Sequence, residues 1–194
     1  MIRALDPGQN ERVSRRAVRP AGLPILGFAA HSGTGKTTLL SALLPLLDAA
    51  GLRVAVIKHS HHDFEIDRPG KDSFRLRQAG AHQLILASPY RTVLIEEKQP
   101  PKEPRLAELV VKLDRSRLDL VLTEGFRHER FPKIELYRQT LGKPFLHPHD
   151  PSIIAIASDR KLATDLPQLD LNRPRQVLEF IIAFISETQT GAHP

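Results

Sequence analysis

The chain has 194 residues, 41% hydrophobic and 26% charged, enough for one substantial core and short for two. It has no cysteine, which excludes disulfides, iron–sulfur clusters and thiolate zinc sites, and no apolar run approaches the roughly 20 residues a membrane-spanning helix needs. The formal net charge of +6 raises nucleic acid as a partner, but half of the excess lies in residues 1–20 and no basic stripe interleaved with aromatics follows it. No nucleic-acid or membrane partner is expected.

Residues 1–23 carry Arg3, Arg12, Arg15, Arg16 and Arg19 with few apolar side chains and no helical or strand period, so this stretch reads as a disordered basic tail. Ser14-Arg15-Arg16 is reminiscent of a twin-arginine export signal, yet Pro20, Gly22 and Pro24 follow instead of a cleavable apolar segment. A cytoplasmic protein is expected, with one domain over residues 24–187 and a flexible end over 188–194.

Ile25 to Ala30 is a short apolar strand, and Leu39, Leu40, Leu43, Leu44 and Leu47 then recur at helical spacing from Thr37 to Ala50, where Gly51 stops the helix. Arg53 to Lys58 reads as a buried parallel strand, and Asp72 as the N-cap of a helix ending at Ala79. Gln83 to Ala87 and Thr92 to Ile95 are strands joined tightly enough to be antiparallel. Three prolines make residues 98–104 a linker. Beyond it come a helix from Leu106 to Leu113, an apolar strand from Leu118 to Thr123, and an alternating, edge-like strand from Ile134 to Tyr137. An irregular loop over 140–151, a buried strand from Ile153 to Ala157 and a helix from Val177 to Ile185, with Pro174 in its first turn, complete the order.

Between the first strand and the first helix lie Ala30-His31-Ser32-Gly33-Thr34-Gly35-Lys36-Thr37. Gly33 and Gly35 accept positive φ, so the backbone N–H groups of Ser32, Gly33, Thr34, Gly35 and Thr38 can turn toward a polyphosphate at the positive end of the helix. Lys36 is placed to reach the β and γ phosphates, and the Thr37 hydroxyl to hold Mg²⁺. Ala30 stands where the general pattern has Gly, so the turn into the loop must be made at ordinary φ. Strands alternating with helices behind such a loop predict an α/β fold: a three-layer P-loop NTPase whose mainly parallel sheet carries an antiparallel extension at one side. That extension offers a free edge for pairing with a second copy of the chain.

Ligands bind at the carboxyl ends of strands in such sheets. Asp119 opens its strand and Glu124 closes it, about 16 Å away, so only Glu124 shares the edge with the loop. Glu124 is the candidate for Mg²⁺, directly or through water, or for orienting the attacking water, and Gly125 for an N–H on the γ-phosphate; a solvated loop carboxylate is the competing reading. Lys58-His59-Ser60-His61-His62-Asp63 also leaves a strand at that edge. Three His and an Asp are metal-ligand types, but no fourth spaced His or Cys completes a structural zinc site, so the segment is read as contacting phosphate or Mg²⁺ and moving with nucleotide state, with Lys58 and His59 nearest. Arg68 and Lys71, ahead of the helix at Asp72, make either a second anion site or a charged capping turn. Asp159, just past a strand, either accepts the N1–H and N2–H₂ edge of guanine, which would make the ligand GTP, or flanks a turn.

These blocks together resemble one family, the molybdopterin-guanine dinucleotide biosynthesis adapter proteins. The likeness rests on residues 28–40, Ile57 to Asp63, Asp67-Arg68-Pro69-Gly70-Lys71-Asp72-Ser73, Leu118 to Phe126, and Ala155-Ile156-Ala157-Ser158-Asp159. Ala30 fits the family pattern, and residues 1–23 match nothing in it. The resemblance implies a GTP-binding homodimer with weak GTPase activity that assists a separate guanylyltransferase in attaching GMP to molybdopterin. It implies GTP, Mg²⁺ and molybdopterin as ligands; the placement of charge in this chain puts the anionic pterin phosphate near Arg68, Lys71 and Arg127. No Ser, Cys or His nucleophile with a positioned base is evident, and no catalytic Gln, which suits slow hydrolysis. The alternative is a small-molecule kinase using the same loop, with Glu124 or Asp63 as base.

Overall fold

A computed structural model describes residues 22–60, 64 and 66–190. Most of the basic tail, the His61-His62-Asp63 part of the candidate segment and residues 191–194 lie outside the described residues. The elements are β1 (Ile25–Ala29), α1 (Lys36–Ala49), β2 (Val54–Lys58), α2 (Asp72–Gln78), β3 (Gln83–Ala87), β4 (Thr92–Glu96), α3 (Leu106–Val110), β5 (Leu120–Glu124), β6 (Lys133–Tyr137), β7 (Ile153–Ser158), β8 (Gln168–Asp170) and α4 (Pro174–Thr190).

Six strands form a sheet in the order β2-β5-β1-β6-β7-β8, and every neighbouring pair is parallel. β1 is flanked by β5 and β2 on one side and by β6, β7 and β8 on the other, so the crevice beyond its carboxyl end is the switch point where open sheets take ligands. Successive residues of each strand feed opposite cores. Leu26, Phe28, Leu120 and Leu122 pack with Leu39, Leu40, Leu43 and Leu47 of α1 and Val177, Ile181, Phe184 and Ile185 of α4 on one face. Val121 and Ile57 pack with Leu106 and Val110 of α3 and with Phe126 on the other. Each such fully buried side chain contributes about 1.5–3 kcal/mol, which is what clamps α1, and with it the loop at its start, against the sheet.

The three-layer α/β reading therefore holds, with the antiparallel strands β3 and β4 forming a separate two-stranded sheet and not an extension hydrogen-bonded to the main one. The edge expected at Ile134–Tyr137 is corrected: β6 is internal, between β1 and β7. Its alternation suggested an edge, but Glu135 and the neighbouring Lys133 are each 1% exposed and fully partnered. The Lys133 ammonium donates to the carbonyls of Arg127 at 3.1 Å and Glu129 at 2.6 Å and pairs with Asp150 at 2.7 Å. Glu135 accepts the backbone N–H groups of Leu146 and His147 at 2.7 and 2.9 Å and meets His147 Nδ1 at 3.0 Å. Conversely β2, read as buried, closes one side of the sheet among the described residues, and its Val56 is exposed.

Smaller differences follow from tertiary contacts. The residue flanking α2 is Lys71, with Asp72 as the first helical residue and no side-chain cap. α3 stops at Val110, β8 was not foreseen, and α4 runs from Pro174 to Thr190. Leu23, assigned to the tail, packs on the second core. Among the described residues no helix is long and apolar enough to cross a membrane.

Candidate functional site

The loop between β1 and α1 closes on itself. Gly33 and Gly35 take φ of 80° and 101°, Ala30 keeps ordinary φ as required, and the buried Thr34 hydroxyl donates to the His31 carbonyl at 2.8 Å. The Lys36 ammonium donates to the carbonyls of Ala30 and His31, both at 3.2 Å, so the chain's own backbone holds the cation at the mouth of the loop. Partial burial pushes this ammonium below its ordinary 10.5, Glu124 pulls it back up, and Arg127 and Lys58 push it down again. A polyanion arriving there supplies the countercharge that the loop carbonyls only partly provide.

Beside it, the Thr37 hydroxyl donates to Glu124 at 3.0 Å to Oε1 and 3.3 Å to Oε2, joining the first turn of α1 to the end of β5. Lys58 stands in register with Glu124 on β2, its Nζ 3.3 Å from Oε2. A hydroxyl and a carboxylate converging next to a phosphate cradle are the hard oxygen donors Mg²⁺ prefers, and the nearby ammonium marks the corner as one that accepts positive charge. Thr37 and Glu124 fit that ion on their chemistry. Among the described residues no group of three His, Cys, Asp or Glu is placed to hold a metal, and His61, His62 and Asp63 lie outside them.

Gly125, at φ 104°, lets the chain turn so closely past His59 that a Cβ there would lie 2.7 Å from the His59 Cβ. His59 accordingly lies nearly buried against Phe126, ring centroids 4.9 Å apart, with its backbone N–H on the Glu124 carbonyl at 2.8 Å and its Nε2 2.9 Å from Glu103. His59 therefore packs against the Glu124–Gly125 turn, its backbone N–H and ring both engaged. Phe126, which itself carries φ 54°, and Glu103, from the proline linker, gave no signal in the sequence because each acts through a partner remote along the chain.

Ser32 and Thr38 are exposed around the loop, as a cradle requires. Asp159 lies beyond β7 at the same sheet edge, accepting the Gln139 N–H at 3.0 Å. Arg127 is close enough to influence Lys36, and Arg68 and Lys71 sit exposed on the turn before α2. The residue sequence reasoning missed is Arg138, whose Nε donates to the Thr34 carbonyl at 3.3 Å. It follows a strand at the ligand edge, and the carboxyl-end rule would have found it had β6 been placed beside β1.

A parallel sheet with a closed Gly-rich loop, a lysine and a hydroxyl at the head of α1, and a carboxylate ending the adjacent strand defines the P-loop NTPase class. Residues 25–159 match the family described as molybdopterin guanine dinucleotide synthesis protein B, MobB. The chain belongs to that family. It is 46% identical over 166 residues to the molybdopterin-guanine dinucleotide biosynthesis adapter protein of Escherichia coli K12, covering 85% of this chain and 95% of that one. It is also 46% identical over 159 residues to the protein of that name from Haemophilus influenzae, covering 82% and 88%. The crystal structure of a molybdopterin-guanine biosynthesis protein B superposes with a TM-score of 0.68 at 28% identity over 84% of this chain and 99% of that one.

Proposed function

We propose that the protein is a GTP-binding adapter with weak GTPase activity that assists the guanylyltransferase converting molybdopterin to molybdopterin guanine dinucleotide. The observation that carries the reading is the convergence of Lys36, Thr37 and Glu124 on one side of a closed phosphate loop. In this reading the loop amides and Lys36 hold the phosphates, Thr37 and Glu124 hold Mg²⁺, and Asp159 reads the guanine edge. Mg²⁺ would supply charge neutralisation of the phosphates. Family membership supports the pathway, and the relatives' names support an adapter over a kinase. For the kinase alternative, Glu124 is already committed to Thr37 and Lys58, and Asp63 lies outside the described residues.

Slow hydrolysis accords with Glu124 being held by the Thr37 hydroxyl and the Lys58 ammonium. We assign molybdopterin's phosphate to the neighbourhood of Arg68, Lys71 and Arg127 on the placement of their charges. A homodimer through the β3–β4 hairpin and a cytoplasmic location complete the proposal. The test is a thermal shift with Mg²⁺ and GTP or ATP on wild type, Lys36→Ala and Asp159→Asn. At 100 times its dissociation constant a ligand adds about 2.7 kcal/mol, or roughly 5–11 °C at this size. Wild type should shift with GTP well above ATP, Lys36→Ala with neither, and Asp159→Asn with both alike. Equal shifts in wild type and Lys36→Ala would remove the site.

A further inference from the structure

Arg138 ties the phosphate loop to the carboxylate expected to read the base. It leaves β6 directly beside β1, its Nε donates to the Thr34 carbonyl at 3.3 Å, and its Nη1 lies 3.9 Å from Asp159 Oδ2. Its Nη2 is 3.7 Å from where a Cβ on Gly35 would stand, so the guanidinium lies along the loop at residues 34–35. The next residue, Gln139, gives its N–H to the other Asp159 oxygen at 3.0 Å. The chain beyond is also pinned: His31 Nε2 meets the Pro144 carbonyl at 3.1 Å, and the Tyr137 and Phe145 rings lie 4.3 Å apart. Arg138 is held in place before any ligand arrives.

That tethering selects a role. The bidentate phosphate grip uses a forked N–H edge, and here Nε is bonded to the loop carbonyl and Nη1 is turned toward Asp159, so the Nε–Nη1 fork is engaged. Besides the Nη2 donors along the loop, the flat face stays open, and a guanidinium held at its rim presents that face to an aromatic ring. We propose that Arg138 is the base clamp of the nucleotide site: its guanidinium plane lies against the purine, and it gives up Asp159 to the guanine edge when the nucleotide binds. The clamp rests on the nucleotide reading above. Lysine in its place would keep the charge and lose the plane.

Calorimetric titration of GDP and of inorganic tripolyphosphate into wild type, Arg138→Gln, Arg138→Lys and Lys36→Ala separates the two ideas. Arg138→Gln should weaken GDP by about tenfold, the effect of losing a cation stacked on a ring, while tripolyphosphate binds as in wild type. Arg138→Lys should recover only part of the GDP affinity. If tripolyphosphate weakens as much as GDP in Arg138→Gln, the residue is a phosphate ligand and the clamp is wrong; unchanged GDP affinity also overturns it. Lys36→Ala should lose tripolyphosphate binding. Should it bind tripolyphosphate like wild type, the nucleotide reading itself fails, whereas loss there together with intact GDP binding in Arg138→Gln condemns the clamp alone.

Discussion

Lys58 and Glu124 face each other in register across β2 and β5, with Nζ 3.3 Å from Oε2, while the same carboxylate takes the Thr37 hydroxyl. One carboxylate thus links the first turn of α1 to two strands, and removing its charge frees both partners. Glu124→Gln should lower the Mg²⁺-dependent part of guanine nucleotide affinity by about tenfold or more and leave affinity in EDTA unaltered. Titrating Mg²⁺ into the complex with a fluorescent guanine nucleotide measures it. An identical Mg²⁺ dependence in the variant would take Glu124 out of the metal site.

Lys133 makes Asp150 a pH-dependent contributor to stability. Burial pushes the Asp150 carboxyl up, but the hydrogen bond and charge of Lys133 and the Ser152 N–H outweigh it, leaving it below its ordinary 3.8. Because the folded value is the lower one, the contribution is whole above the unfolded value and fades as pH falls through the folded one. Asp150→Ala strands a buried ammonium and should cost about 3 kcal/mol at neutral pH. Urea unfolding should show that gap shrinking in acid below 3.8, and a gap independent of pH would contradict the assignment.

Gly125→Ala is strained twice, by its φ of 104° and by the His59 Cβ 2.7 Å from the added methyl. About 2 kcal/mol should be lost, lowering the melting temperature by roughly 4–8 °C. His59→Ala keeps the offending carbon and should not help, while His59→Gly in the same background should relieve the clash. Equal melting temperatures for the two double variants would show that the backbone angle alone sets the cost.

The β3–β4 hairpin leaves Ile85 64% and Leu94 47% exposed, and these two are opposite each other in register. Covering that face with a second copy is the reading that accounts for them. Light scattering should give twice the chain mass of 21.7 kDa for wild type and a single chain mass for Ile85→Lys with Leu94→Lys. A monomeric wild type at all concentrations would remove the dimer.

The loop from Ala30 to Thr37, the helix behind it and Glu124 at a strand end were legible because each is a local pattern: a run of residues, a period, or a position relative to a strand. Thr37 and Glu124, 87 residues apart, are joined as that pattern implies. His59 was legible for its position after a strand, but its contact with Phe126 and Glu103 was not, since that depends on how close Gly125 brings two chain segments.

By itself, then, the sequence determined the class of fold, the phosphate loop and the carboxylate beside it, because alternation, glycine placement and helix period act over a few residues. Only the tertiary structure decided that β6 is central, that β3 and β4 stand apart, and that Arg138 reaches Asp159. Strand order is set by which long-range partners satisfy buried groups such as Lys133 and Glu135, and charge in a sequence does not reveal whether its partner is water or a distant carbonyl.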